Sequence, residues 1–396
     1  MPTLSFADAR AVVLEKLRIH ATVPATEAVP LASGTGRVLA ADAVADRDYP
    51  PFDRSVRDGF AVRAADLPGT LRIIGEVRAG EVYRGSVGPG EAVEIMTGAP
   101  LPPGADAVVM VEHCLRGEGE TVTTDRALVA GTHIAARGCE AREGQAVLKS
   151  GTRLDYAHIS WLAATGHTTV PVFRLPRVTI IATGDEIVGV AETPAAHQIR
   201  NSNAWSLAAQ VTRAGGVPVI LPVARDTLSA TRELIEEGLQ ADCLLLSGGV
   251  SAGKYDVVEK ALAAAGAEFF FDRVAVQPGQ PLVFGRARGT FFFGLPGNPV
   301  STMVTFEVFA RSALELLGGR TQAPLPVFLA RLTRPFRHKP GLTRILPALV
   351  RDGMITPVDW QGSGDVASLC DANAFLIADS ERAEYLEGDT ISVLSR

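Results

Sequence analysis

The sequence contains few cysteines, no long apolar run and no excess of positive charge. Its four cysteines (Cys114, Cys139, Cys243 and Cys370) include no C-x-x-C pair, and no histidines and cysteines cluster at metal-ligand spacing. We therefore expect neither a structural zinc site nor a disulfide framework. No apolar run approaches the roughly 20 residues of a membrane helix, and the first residues lack the basic-then-apolar pattern of a signal region. These features predict a cytoplasmic protein with no membrane partner.

Size and composition indicate a folded protein of several domains. The chain has 396 residues, of which 47% are hydrophobic and 21% are charged. Since domains usually contain about 100–200 residues, we expect roughly two to four of them. The formal net charge of −6 argues against a non-specific nucleic-acid surface. Any anionic ligand must therefore be held by local groups.

The pattern of apolar runs divides the chain into four predicted regions. Residues 46–140 alternate short strand-like runs with Gly/Pro turns, which is typical of a β module. The flanking segments, 1–45 and 141–173, each contain a predicted helix, and we expect them to pair as one discontinuous domain. The first of these helices begins at Ser5 with an S-x-x-D pattern. Residues 174–322 alternate strands with helices, and residues 323–396 form a small tail domain of short extended runs.

The alternating region 174–322 predicts βαβ units around a mostly parallel sheet. Its third strand, Cys243 to Leu246, is followed by Ser247-Gly248-Gly249 and then by a predicted helix from Val257. A strand, a glycine turn and a helix start place backbone N–H groups in front of an anion. We therefore predict a phosphate or phosphate-like site at this turn.

Two other interpretations of the same turn remain open. Gly248, Gly253 and Lys254 have the spacing of a nucleotide-hydrolysing phosphate loop, but Tyr255 stands where that motif needs a magnesium-binding hydroxyl. The turn could also be a glycine turn that binds no ligand.

Acidic residues follow successive strands of the predicted sheet. Asp185 and Glu186 follow the first strand, Asp226 follows the second, and Asp256 lies shortly after the third. Ligands of such sheets bind beyond the carboxyl ends of the strands, so these carboxylates should meet at one edge. A single acid there is often a helix cap, but several beside glycine turns favour a hard cation such as Mg²⁺. We predict Glu186, Asp226 and Asp256 as the metal ligands.

Three further loops carry candidate site residues. Leu295-Pro296-Gly297-Asn298-Pro299 predicts a stiff loop with Asn298 as a helix N-cap and Pro299 at the first helical position. In the β module, residues 51–59 are rich in polar side chains and residues 97–106 in proline and glycine. These two module loops can also be explained as plain turns or rigid connections.

Several ordered motifs resemble the molybdopterin molybdenumtransferase family, which is related to the E domain of gephyrin. They are GRVLA at 36–40, PPFDRSVRDGFAVR at 50–63, IMTGAPLPPGADAVVMVE at 95–112, RVTIIATGDEI at 177–187, LLSGGVSAGKYD at 245–256, PGQPLVFG at 278–285, GLPGNPVS at 294–301 and GSGDVASLCDANAF at 362–375. The resemblance runs nearly from end to end of the chain. It implies an α/β plus β multidomain fold, in which a molybdopterin-binding α/β domain with a parallel sheet is accompanied by an inserted β module, an elongated discontinuous domain and a C-terminal β-barrel-like domain.

The resemblance also implies a reaction and an assembly. The implied substrates are molybdopterin–AMP and molybdate; the adenylate is hydrolysed with Mg²⁺ present, and molybdenum is inserted at the dithiolene sulfurs. The implied homodimer forms its cleft between the α/β domain of one subunit and the β module of the other. A molybdopterin-adenylating enzyme and molybdoenzyme apoproteins are candidate partners.

The residue roles that follow fall into two groups. The predicted catalytic residues are Asp58, Thr97, Glu186, Asp226 and Asp256. The predicted residues that bind molybdopterin and its phosphate are Ser247, Gly248, Gly249, Ser251, Arg273, Pro296, Gly297, Asn298 and Pro299. Two other functions remain open: a molybdopterin adenylyltransferase, and a divergent pterin-binding paralogue without catalysis.

The sequence departs from the family pattern at three positions. Gln277 and Gln280 stand where well-studied members have lysines, and Glu140 stands where members have aspartate. Arg273 keeps one positive charge near the two glutamines. These departures concern how strongly an oxyanion is held, and they leave the predicted fold unchanged.

Overall fold

The structure is a computed structural model that describes residues 1–249 and 257–396. It has the predicted class, a mixed α/β fold with separate β regions. None of the helices in the described residues combines the length and apolar character needed to span a bilayer.

The N-terminal helix Phe6–His20 begins where the sequence predicts. The Ser5 side chain accepts a hydrogen bond from the Asp8 backbone N–H, which caps the first turn. Ala9, Val13 and Leu17 follow at helical spacing and are buried in the core of the α/β domain. The helix is therefore fastened to that domain.

The segments on either side of the β module pair with each other. The strand Thr26–Pro30 is antiparallel to Thr169–Phe173, and Ala43–Val44 pairs with Ala146–Leu148. The helix Tyr156–Ala164 packs beside them and is capped by Asp155. The chain thus leaves and re-enters this region around the inserted module, whose exact limits remain a prediction.

The β module is built on one six-stranded sheet. Phe60 and Val62 face one apolar cluster and Ala61 faces another, because side chains alternate along a strand. In sheet order the strands are Ala107–Met110, Gly59–Val62, Glu91–Ile95, Gly69–Val77, Thr121–Thr124 and Leu115–Gly117. Two short strands, Arg54–Ser55 and Ile134–Ala135, pair beside it.

The α/β domain contains the central sheet, which we define by six strands. In sheet order they are Val217–Ile220, Arg177–Ala182, Cys243–Ser247, Thr290–Leu295, Pro281–Ala287 and Glu268–Arg273. The first four are parallel and the last two are antiparallel to their neighbours. The strand Cys243–Ser247 is fully buried, as its apolar run predicts.

Helices cover both faces of the central sheet and complete its βαβ units. They are Asn203–Ala214, Leu228–Gly238, Val257–Ala264, Pro299–Thr305 and Arg311–Leu317. Three two-residue strands complete the domain: Ile187–Val188, Ile199–Arg200 and Val276–Gln277.

The last helical stretch of this domain contains a turn that the sequence does not predict. A π-helical turn, Phe306–Ala310, separates the two α-helical segments. Arg10 of the N-terminal helix donates a hydrogen bond to the Val308 carbonyl in that turn. The buried Glu307 carboxylate accepts from Arg213 at 2.7 Å. A π-helical turn inserts one extra residue into the α-helical pattern. Contacts from other parts of the chain accommodate that insertion here.

The tail domain is a closed five-stranded barrel. The strand Thr343–Arg351 pairs with both Met354–Pro357 and Ala374–Ala378, and Thr390–Ser395 joins Ala374–Ala378 to Val327–Leu332. Val327–Leu332 pairs with Met354–Pro357 and closes the ring. Its other elements are Phe336–Arg337, Glu384–Tyr385 and the helix Val366–Cys370.

Candidate functional site

A cleft of about 710 Å³ opens at the carboxyl edge of the central sheet. This is the edge where parallel α/β sheets bind ligands. Its lining joins most of the residues that the sequence predicts for the site: Glu186, Asp226, Ser247, Gly248, Gly249, Pro296, Gly297, Asn298 and Pro299. Strand ends that are far apart in sequence therefore form one wall.

Glycines let the strand ends approach each other closely. Gly248 has φ +91°, and a Cβ there would lie 2.9 Å from the Thr183 carbonyl oxygen. Gly249 has φ +65°, and a Cβ would lie 2.6 Å from a Val258 methyl carbon. Both the backbone conformation and the lack of space exclude a larger residue. Two glycines are thus required on physical grounds, independent of any ligand.

Two of the three predicted metal ligands line the cleft. Glu186 and Asp226 are exposed there, and a Cβ on Gly184 would lie only 2.5 Å from Glu186 Oε2. Within residues 1–249 and 257–396, no three acidic, histidine or cysteine side chains form a metal-binding group. Asp256 and Ser251 lie outside the described residues, as do Gly253, Lys254 and Tyr255 of the phosphate-loop pattern.

Asn298 lies at the predicted N-cap position, but the predicted capping bond is wrong. Its side chain makes no hydrogen bond to the helix; its Nδ2 donates to Ser363 Oγ at 2.8 Å instead. The Val300 N–H donates to the Ser363 carbonyl oxygen at 2.9 Å. Because the tail domain supplies the acceptor for the first turn, the Asn298 side chain is available to hold that domain.

A second cavity, of about 740 Å³, lies between the α/β domain and the tail domain. Gln277, Gln280 and Arg344 line it. The Arg344 Nε is buried and has no hydrogen-bond partner among the residues that the structure describes. Gly279 between the glutamines has φ +104°, and a Cβ there would lie 2.3 Å from Thr305 Cγ2. Asn298 lines the cavity as well, so its described lining offers one guanidinium and three side-chain amides to a ligand.

The two cavities are neighbours. Pro281, Pro296, Gly297 and Asn298 line both of them. The loop that begins at Pro296 therefore lies between the cleft that Glu186 and Asp226 line and the cavity that Arg344 lines.

Asp58 and Thr97 form a pair in the β module. The Asp58 carboxylate accepts hydrogen bonds from the Thr97 backbone N–H at 2.6 Å and from its hydroxyl at 2.8 Å. These two bonds, the backbone one first, hold the pKa of Asp58 below its ordinary value. Neither residue is among the described residues that line the two cavities.

Two other predicted positions lie outside the cavities. Arg273 is exposed at the end of a strand whose partner at that point is Pro281. Its side chain is not among the described groups that line either cavity. Glu140 accepts a hydrogen bond from Arg54 at 2.7 Å, so the longer acid at this position is paired within the module.

Sequence reasoning missed two polar residues of the cleft, Thr183 and Asn203. Both are buried, and Thr183 Oγ1 and Asn203 Oδ1 have no hydrogen-bond partner in the described structure. Buried polar atoms are usually paired, so these two are candidates for contact with a ligand or water. Both residues lie next to predicted strand or helix ends, but the sequence does not show that they are buried, which is the feature that distinguishes them.

Comparisons with known proteins match almost every region of the chain. A family model described as "MoeA N-terminal region (domain I and II)" matches residues 4–166. A model described as "Probable molybdopterin binding domain" matches residues 179–316, and "MoeA C-terminal region (domain IV)" matches residues 329–395.

Individual relatives and solved structures agree with the family models. The molybdopterin molybdenumtransferase of Bacillus subtilis (strain 168) is 38% identical over 387 residues, covering 93% of this chain and 89% of that protein. That of Nostoc sp. is 35% identical over 327 residues, covering 80% and 75%. A crystal structure of the molybdopterin biosynthesis MoeA protein from Pyrococcus horikoshii OT3 has a TM-score of 0.82 at 29% identity, with both chains fully covered.

The fold and the cleft define a multidomain protein of the MoeA type, with the cleft in the domain that matches the molybdopterin-binding model. The chain belongs to the molybdopterin molybdenumtransferase family, since one relative shares 38% identity over 93% of it. The resemblance inferred from the motifs is thus confirmed.

The Asp58–Thr97 pair gives a testable prediction. Thr97→Val removes the hydroxyl donor but keeps the backbone donor, so the pKa of Asp58 should rise part of the way towards its ordinary value. A pH titration of the carboxyl carbon by NMR measures this change. The pKa of Asp365, which Ser368 and Gln361 lower in the tail domain, serves as the internal control. An unchanged Asp58 pKa would contradict the assigned hydrogen bonds.

Proposed function

We propose that this protein inserts molybdenum into molybdopterin during molybdenum cofactor biosynthesis, using molybdopterin–AMP and molybdate and releasing AMP. The observation that carries the proposal is the cleft, where two carboxylates face two glycine-containing loops at one sheet edge. Relatives that span most of the chain are transferases named molybdopterin molybdenumtransferase. No observation favours a molybdopterin adenylyltransferase or a non-catalytic paralogue.

The cleft offers distinct groups to an adenylated pterin. The Ser247-Gly248-Gly249 turn presents backbone to the phosphates, and its glycines allow close approach. Pro296 and Gly297 form the opposite loop. Thr183 adds a hydroxyl oxygen, unpaired in the described structure, that a substrate N–H or O–H group, or water, can satisfy. These residues bind and orient the substrate.

The donor set at the sheet edge fits Mg²⁺. Glu186 and Asp226 provide carboxylate oxygens, and Mg²⁺ is usually held by one or two carboxylates together with substrate phosphates. We propose that Glu186 and Asp226 hold it together with Asp256. When bound, Mg²⁺ would neutralise phosphate charge during loss of the adenylate. The protein itself holds the Glu186 and Asp226 carboxylates beside the Ser247-Gly248-Gly249 turn, which we call the phosphate turn.

We further propose that molybdate is held in the second cavity, beside the shared loop. Arg344 supplies a positive charge there, and Gln277 and Gln280 supply neutral donors. Charge-assisted hydrogen bonds are roughly twice as strong as neutral ones. Molybdate should therefore be held more weakly here than by relatives with lysines at those two positions.

The position of Asp58 and Thr97 supports a homodimer. The pair is exposed, and Phe52 and Val56 beside it are 41% and 38% exposed. Polar and apolar groups in one exposed loop suit a contact with a second copy. We propose that this loop completes the cleft of the partner subunit. A molybdopterin-adenylating enzyme would supply the substrate, and molybdoenzyme apoproteins would receive the product.

The activity itself is tested with purified protein, molybdopterin–AMP, molybdate and Mg²⁺. AMP and the molybdenum cofactor should both accumulate, EDTA should stop AMP release, and Asp226→Asn should lower the rate about 100-fold or more, as loss of a key electrostatic group does. Asp352→Asn is the matched control, since Asp352 is exposed in a barrel turn with φ 49°, which asparagine also adopts. Undiminished AMP release in EDTA and in Asp226→Asn would reject the metal assignment, and no cofactor from the unaltered protein would reject the function.

Subunit mixing tests the dimer. In a mixture of Asp58→Ala and Asp226→Ala chains, each heterodimer has one cleft with both residues intact. With random exchange, about one quarter of the original activity should return. Mixing Asp58→Ala with Thr97→Ala chains should restore no activity. Both substitutions lie in the β module, so every cleft of every dimer lacks either Asp58 or Thr97. No recovery of the first mixture after verified exchange would contradict a shared cleft.

Adding the lysines tests the second cavity. The double variant Gln277→Lys with Gln280→Lys gains charge-assisted bonds worth on the order of 1–2 kcal/mol. It should reach half-maximal insertion at roughly ten-fold lower molybdate. Gln240→Lys, exposed just before the strand Cys243–Ser247 at the opposite edge of the sheet, controls for added charge. An unchanged molybdate titration in a folded, dimeric double variant would place molybdate elsewhere.

A further inference from the structure

Asn203 joins the two loops that face each other across the cleft. It is the first residue of the helix Asn203–Ala214 and is 9% exposed. Its Nδ2 donates to Ser247 Oγ and to the Gly297 carbonyl oxygen, each at 2.8 Å. One buried amide thus contacts both the phosphate turn and the loop at Pro296-Gly297.

The orientation of this amide follows from its partners. A backbone carbonyl oxygen can only accept a hydrogen bond, so the NH₂ group of Asn203 must face Gly297. The second amide hydrogen is then directed to the Ser247 hydroxyl, and Oδ1 is left without a partner in the described structure. A carboxylate in the same place would set two acceptors against each other at the Gly297 side.

In the part of the chain that the structure describes, backbone hydrogen bonds between the two loops stop where the strands end. The parallel pairing of Cys243–Ser247 with Thr290–Leu295 ends at Ser247 and Leu295, and the Gly248 N–H donates to the Leu295 carbonyl oxygen at 3.2 Å. Beyond this point, within residues 1–249 and 257–396, the two loops share no direct hydrogen bond and are joined through the Asn203 side chain. The loops are close there, since a Cβ on Gly297 would lie 3.6 Å from Gly248 Cα.

We propose that Asn203 is a positioning residue that sets the separation of the phosphate turn from the Pro296-Gly297 loop, and thereby the affinity for the pterin substrate. The inference rests on the proposed function. Glu186 and Asp226 belong to other strand ends, and neither is hydrogen-bonded to Asn203 in the part of the chain that the structure describes. Loss of the amide should therefore weaken substrate binding and leave the chemical step nearly unchanged.

The test compares Asn203→Asp and Asn203→Ala with the unaltered protein. Both variants lose the two donated hydrogen bonds, so KM for molybdopterin–AMP should rise about ten-fold while kcat changes less than about three-fold. Asn203→Asp should be the worse of the two, because of the facing acceptors. Asn373→Asp is the matched control, since the Asn373 side chain bonds the N–H and the carbonyl oxygen of Val350 in the barrel and is not among the described residues that line either cavity.

Equilibrium binding of purified molybdopterin, measured without turnover, separates this inference from the proposed function. If the unaltered protein binds molybdopterin but makes no cofactor, and Asn203→Asp binds it about ten-fold more weakly, the proposed reaction fails and the role of Asn203 stands. If either folded variant keeps its KM and its molybdopterin affinity within two-fold, the role of Asn203 is rejected. A fall in kcat with an unchanged KM also rejects it, as does a failure of the unaltered protein to bind molybdopterin.

Discussion

The site depends on the close approach of glycine-containing loops at the carboxyl edge of one parallel sheet. The strands Arg177–Ala182, Cys243–Ser247 and Thr290–Leu295 end side by side, and the Thr183 N–H still donates to the Ser247 carbonyl oxygen at 3.0 Å beyond the first of them. With a side chain at Gly248 or Gly249, the backbone could not take this path. The cleft between the loops is a consequence of that packing. Beyond the last paired residues of the strands, the Asn203 side chain hydrogen-bonds both loops.

The tail domain contacts the α/β domain at the same edge of the central sheet. Its Ser363 accepts from the Asn298 side chain and from the Val300 N–H, so a loop of the barrel caps the first turn of the long helical stretch that begins at Pro299. The strand Val276–Gln277 is parallel to Thr343 and Arg344 of the barrel and fixes the second cavity between the two domains. Because both cavities share Pro296, Gly297 and Asn298, a ligand in one lies beside a ligand in the other. This arrangement suits a reaction between a bound pterin and a separate oxyanion.

Features set by local chemistry could be predicted from the sequence, and features set by distant contacts could not. The Ser5 cap, the buried run Cys243 to Leu246 and the glycine turn after it depend on neighbouring residues, and the structure confirms them. The Asn298 capping bond was wrong because its partner Ser363 is 65 residues away in another domain. The π-helical turn at Phe306–Ala310 is contacted by Arg10 from the far end of the chain. Asn203 had no visible signal, since its role depends on burial between two loops. The roles of the site residues and the domain limits remain predictions.

We propose that the pterin substrate binds in the cleft at the sheet edge, between the Ser247-Gly248-Gly249 turn and the Pro296-Gly297 loop. A crystal structure of the protein with molybdopterin bound tests this claim most directly. We expect the terminal phosphate against the backbone of Gly248 and Gly249, with Gly297 on the other side of the ligand and the dithiolene directed to the cavity at Arg344. Molybdopterin bound at another surface, with both loops free of contact, would contradict it.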